Sequence, residues 1–132
     1  TTWNRLKDGG EVGAILYEIE EHFDFVNPAI HLPKLMEAYQ LIQKLEDTHW
    51  RIIKEKELKE IIEACLGLYL EASVISSTGT PNSTINVDFE VLNRSDVNIE
   101  LTSITSVIDN KTIYKGFELT QNKKFSFKWR TN

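Results

Sequence analysis

Along this chain apolar side chains first recur at the spacing of an α-helix and then at the spacing of a β-strand. The stretch 58–70 sits at the change. Leu58, Ile61, Ile62, Cys65, Leu66 and Tyr69 run i, i+3, i+4, i+7, i+8, i+11, which is one face of a helix. Two earlier stretches carry the same period. Val12, Ile15, Leu16, Ile19 and Phe23 predict a helix over 11–23. Leu35, Ala38, Tyr39, Ile42, Leu45, His49, Ile52 and Ile53 predict a long helix over 33–53, with Pro33 in its first turn. The charged run 54–57 then reads as the turn of an antiparallel hairpin between the second and third helices. Residues 24–32, which include Asn27 and Pro28, read as an extended connection.

Past Glu71 the period is two. Ile85, Val87, Phe89 and Val91 alternate with Asn86, Asp88 and Glu90, as in a strand with one wet face. Val97, Ile99 and Leu101 alternate again, and a slip toward Ile104 predicts a bulge. Gly116 is expected to break the run that begins at Thr112, with Phe117 and Leu119 starting another. Phe125, Phe127 and Trp129 close the pattern, and turn residues cluster at 76–83, 93–96, 109–111 and 121–123. Short strands joined by short turns predict an antiparallel β-sandwich-like unit of the Ig or fibronectin kind. A last strand is expected beyond Trp129, so the sandwich reads as truncated. That would leave an edge and an apolar face for self-association through the β half. The fold class is therefore α+β: a three-helix unit over 1–70 and a β unit over 71–132.

The 132 residues fit one domain or two small units sharing a core. Apolar content is 41% and charged content 27%, ordinary globular usage. No apolar run reaches the length of a membrane span, and no charged-then-apolar stretch of the signal-peptide kind opens the sequence. The net charge of −5 is carried by residues 1–70, which hold 8 Lys/Arg against 13 Asp/Glu. An acidic half argues against nucleic acid as a partner. The one basic cluster is Lys123, Lys124, Lys128 and Arg130. On a strand, Lys124, Lys128 and Arg130 share the face opposite Phe125, Phe127 and Trp129, which suits an outward sheet face.

The search for chemistry yields no catalytic, cofactor-binding or metal residue. Cys65 is the one cysteine, so no intrachain disulfide can form, and its place on an apolar face predicts a buried inert thiol. His22, His31 and His49 stand 9 and 18 residues apart, without the spacing of a zinc hydrolase. His49 is expected as a packing residue beside Trp50. Gly9-Gly10 reads as a tight turn rather than a phosphate loop. Asn82, Asn93 and Asn110 each open a glycosylation-type triplet. Trp3, Trp50 and Trp129 are the residues that could stack on a sugar.

A family likeness adds to this. Arg5-Leu6-Lys7, Gly10-Glu11-Val12-Gly13, the run Phe23-Asp24-Phe25-Val26-Asn27-Pro28 and the run Leu41-Ile42-Gln43-Lys44-Leu45-Glu46-Asp47 carry its first part. His49-Trp50, Glu60-Ile61-Ile62-Glu63-Ala64-Cys65, Gly67-Leu68-Tyr69-Leu70-Glu71-Ala72 and the stretch from Thr80-Pro81 to Asn93-Arg94-Ser95 continue it. Together they resemble the region carboxyl-terminal to the catalytic domain in large bacterial PIG-L-type (LmbE-like) N-deacetylases. The family's Ala-His-Pro-Asp-Asp-like catalytic signature has no counterpart in these residues, so no catalytic or zinc residue is carried over. The resemblance implies a non-catalytic accessory or interaction domain, with the parent's catalytic domain as partner. It also implies an exported parent that uses zinc, bound outside this chain, to remove N-acetyl groups from amino sugars. The alternative is a free-standing interaction or carbohydrate-binding module.

Overall fold

The computed structural model describes residues 2–75, 79–80, 83–107 and 110–131. Three α-helices are followed by two antiparallel sheets, an α+β arrangement. The chain divides into two compact units, Thr1–Leu66 and Gly67–Asn132.

The helical unit begins with a 3₁₀ turn at Trp3–Arg5. Asp8, in the left-handed region at φ 64°, turns the chain into α1, Gly9–Glu21. Val12 and Ile19 are buried on α1, with Ile15 and Leu16 half-buried beside them. The connection after α1 is more structured than an extended link. The Asp24 carboxylate accepts N–H bonds from Val26 at 2.8 Å and Asn27 at 2.9 Å, and a 3₁₀ turn, Pro28–His31, follows. α2 then spans Leu32–Ile42, with Pro33 in its first turn, where no N–H is needed.

The second break lies elsewhere than the period suggests. α2 stops at Ile42 rather than 53, and α3 spans Thr48–Leu66, straight through the charged run 54–57. Residues 43–47 make the turn, tightened by N–H bonds from Lys44 to the Leu41 carbonyl at 3.0 Å and from Leu45 to that of Ile42 at 3.1 Å. Leu45 is buried from this turn, so the apolar period continues across a break that contains neither Gly nor Pro. Arg51 closes the turn by donating to the Leu45 carbonyl at 3.0 Å. Asp47 caps α3, accepting the Trp50 N–H at 3.1 Å. His49 and Ile52 consequently leave the expected core stripe and are exposed. The core of this unit is Val12, Ile19, Ala29, Leu32, Leu35, Ala38, Ile42, Leu45, Leu58 and Cys65.

The stretch 58–70 also divides. Its helix ends at Leu66, and Gly67 takes φ +56°, the left-handed conformation that stops helices. Tyr69 is therefore on a strand. β1 is Leu68–Val74, β2 Ile85–Asn93 and β5 Phe125–Thr131; they form one antiparallel sheet in the order β1-β2-β5. β3, Ile99–Thr105, and β4, Thr112–Leu119, form a separate antiparallel pair. The register places Leu70, Val91 and Phe125 side by side, then Ala72, Phe89 and Phe127, then Val74, Val87 and Trp129. All of these lie on one face. Lys128 pairs across with Asp88, and Lys124 forms an ion pair with Glu90 on the other face, the outward arrangement expected for the basic cluster.

The two sheets meet where Phe117 of β4 stacks on Phe125 of β5, ring centroids 3.9 Å apart. They are not closed into an Ig-like sandwich. Gly116, at φ +73°, is accommodated inside β4 rather than breaking it. The irregularity expected past Thr102 falls between Ile104 and Thr105. Of the expected turns, most of 76–83, the first residue of 109–111 and Asn82 lie outside the described residues.

Asn93 is the centre of the β unit. It is fully buried, and its amide donates to the Val97 carbonyl at 2.8 Å and the Leu119 carbonyl at 3.2 Å. Its side-chain oxygen accepts from the Ser95 N–H and hydroxyl. Every polar atom of that side chain is thereby used, which is the condition for burying it.

Candidate ligand-binding site

Two glycines one helical turn apart build the first wall. A Cβ at Gly9 would meet the Trp3 carbonyl oxygen at 2.4 Å, and one at Gly13 would meet the Trp3 Cβ at 2.8 Å. Gly-x-x-x-Gly on α1 is thus a seat for Trp3. An interior glycine such as Gly13 costs a helix about 1 kcal/mol relative to alanine, and the close seating of this tryptophan is what it secures.

The second wall is the first turns of α3. The Asp47 cap fixes where the helix starts and hence where Trp50 points. Lys54 follows Trp50 by four residues, on the same helix face. Its Nζ lies 5.7 Å from the Trp3 ring centroid and 5.8 Å from that of Trp50, so one ammonium serves both indoles. Glu57 accepts a hydrogen bond from it at 2.6 Å. The Lys7–Glu46 ion pair, 2.6 Å, ties the lead-in to the turn before α3.

Between these walls is an open depression of about 340 Å³, lined by Thr2, Trp3, Arg5, Leu6, Asp47, Trp50 and Lys54. That is the lower end of the range for small-molecule sites. Its chemistry is two flat π surfaces bordered by two cations and one carboxylate. The negative face of an indole attracts polarised C–H bonds as well as cations. The chemistry of such a surface suits the axial C–H groups of a pyranose ring, and that of its charged rim suits hydroxyls.

Of the three tryptophans expected as sugar platforms, the structure brings together Trp3 and Trp50. Trp129 is half-buried on the apolar face of the β1-β2-β5 sheet. Arg5, Asp47 and Lys54 were not legible as site residues, although Asp47-Thr48-His49-Trp50 has the form of a helix cap and Gly9-x-x-x-Gly13 that of a close-packing pair. His49 is exposed and packs edge-on against Trp50, centroids 5.5 Å apart. His31 instead stacks on Phe23 at 5.1 Å, and its Nε2 accepts the Asp24 N–H at 2.9 Å. Among the described residues no group of three His, Cys, Asp or Glu is placed to hold a metal ion. Burial raises the Cys65 thiol pKa, as befits a core position. Asn93 is fully buried and closed to glycosylation in the folded chain, whereas Asn110 is exposed between β3 and β4. No described helix is long and apolar enough to cross a membrane.

These features define an α+β chain with an aromatic depression on its helical unit. Comparison with protein-family models, curated proteins and solved structures gives no match.

Proposed function

We propose that this chain is a non-catalytic accessory module that contacts glycan through the Trp3–Trp50 depression. The observation that carries the reading is that Trp3 and Trp50 line one open depression of about 340 Å³. By the resemblance described above, the parent is a multidomain, exported PIG-L-type zinc N-deacetylase acting on amino sugars, and this module holds its substrate near the catalytic domain. The two sheets are then the layers of an incomplete Ig-like sandwich. The partly exposed apolar face at Leu70, Val74 and Ile85 supports contact with the rest of the parent or with a second copy. Titration of N-acetylglucosamine oligomers into the full chain, followed by tryptophan fluorescence, tests the glycan contact. Saturable quenching that Trp50→Ala abolishes is the expected result. Absence of any saturable change at millimolar sugar would sink it. A free-standing carbohydrate-binding module is the second reading, favoured by the same depression. Binding of the purified chain to a separately produced catalytic domain distinguishes the two.

A further inference from the structure

The charges around the depression differ in what they already hold. Lys54 donates to Glu57, and Lys7 is engaged with Glu46 just outside. Asp47 accepts the Trp50 N–H as the helix cap. Arg5 alone among the charged lining residues has no ion pair or side-chain hydrogen bond among the described residues. Arg5 is exposed, on the 3₁₀ turn that also carries Trp3. A planar five-donor fork beside an aromatic surface matches a carboxylate by two parallel N–H bonds. The surrounding unit is acidic, with 8 Lys/Arg against 13 Asp/Glu over residues 1–66. That field repels a polyanion such as single-stranded nucleic acid, yet it leaves one local cation for an isolated negative group.

We propose that the depression selects saccharides bearing a sugar carboxylate, with Trp50 and Trp3 as the stacking surface and Arg5 as the partner of the carboxylate. This inference rests on the glycan reading of the same depression and adds the chemical class of its ligand. Recognition divides between two kinds of contact. Ring stacking is shared by neutral and acidic sugars and is insensitive to salt. The ion pair with Arg5 belongs to uronate sugars alone and weakens as salt screens it.

The test titrates the full chain with three probes under one buffer. They are a tetrasaccharide of alternating glucuronate and N-acetylglucosamine, the same molecule with its carboxylates methyl-esterified, and a neutral N-acetylglucosamine tetramer. A short oligothymidylate serves as the polyanion arm. The acid is expected to bind about tenfold more tightly than its ester, the scale of one charge-assisted contact. Arg5→Gln should remove that tenfold preference, so that acid and ester bind alike. Because Arg5 is exposed, a matching circular dichroism spectrum and melting temperature will show the variant folded. Equal binding of acid and ester, or a preference that survives Arg5→Gln, overturns the inference while the glycan reading stands. Binding of no saccharide overturns both. Oligothymidylate binding as tight as the acid shows that the aromatic surface takes bases rather than sugars, and likewise overturns both.

Discussion

The two halves of the molecule are held together differently. Among the described residues, ten apolar side chains are buried in the helical unit and two, Val91 and Leu119, in the β unit. In the first, helices α1, α2 and α3 close around Leu35, Ala38, Ile42 and Leu58. In the second, the buried centre is a polar one, Asn93, and stability rests on strand pairing and stacked rings such as Phe89–Phe127 and Phe117–Phe125. A sheet has two faces to cover, and among the described residues the strand pair β3–β4 meets it where Phe117 stacks on Phe125. Leu70, Val74 and Ile85 remain exposed on the same face as Val91. The difference teaches that a strict alternating pattern specifies a strand face without guaranteeing that the same chain covers it.

The largest expected effect breaks the helical core. Cys65→Asp places a charge at a buried position with no partner and should cost more than about 3 kcal/mol. Urea denaturation followed by helical circular dichroism measures it. A midpoint within experimental error of the parent's would mean that the α3 face does not point inward.

Next is the polar centre of the β unit. Asn93→Ala leaves the Val97 and Leu119 carbonyls without their donor and should cost about 1–3 kcal/mol. Faster hydrogen exchange should appear in β2 and β4 and not in α1–α3. Exchange that rises equally everywhere would show that the two units unfold as one body.

The seat of Trp3 is a smaller and sharper probe. Gly13→Ala adds helix propensity worth about 1 kcal/mol but forces Trp3 to move. The expected outcome is near-neutral stability with altered tryptophan fluorescence and weaker ligand binding. Unchanged fluorescence would separate Trp3 from the α1 groove.

The smallest effect concerns the 24–31 turn, where Phe25 and Val26 are 87% and 95% exposed. Backbone N–H bonds from Asn27 and then Val26 hold the Asp24 carboxyl below its ordinary value of 3.8. The turn's stabilisation is therefore full above that ordinary value and is lost as pH falls through the depressed one. Amide shifts of Val26 and Asn27 in an NMR titration should give a midpoint under 3.8; one at or above it would mean the turn is open in solution.

The sequence by itself determined that helices come first and antiparallel strands follow, because period is a local property of neighbouring side chains. Val12 and Ile19, Leu35, Ala38 and Ile42, and the alternation through Ile85, Val87, Phe89 and Val91 were legible in that way. So was the outward face of Lys124 and Lys128. The break at 43–47 was hidden because Leu45 keeps the helical phase while leaving the helix, and no Gly or Pro marks the turn. The division of 58–70 was hidden because Leu66 and Tyr69 keep a helical spacing across Gly67, and only its left-handed φ reveals the end. The candidate site was half legible. Trp3 and Trp50 were singled out, but their meeting over Lys54 depends on α1 accepting Trp3 at Gly9 and Gly13, and on α3 beginning at Asp47. Those are contacts between residues far apart in sequence, and tertiary packing alone sets them.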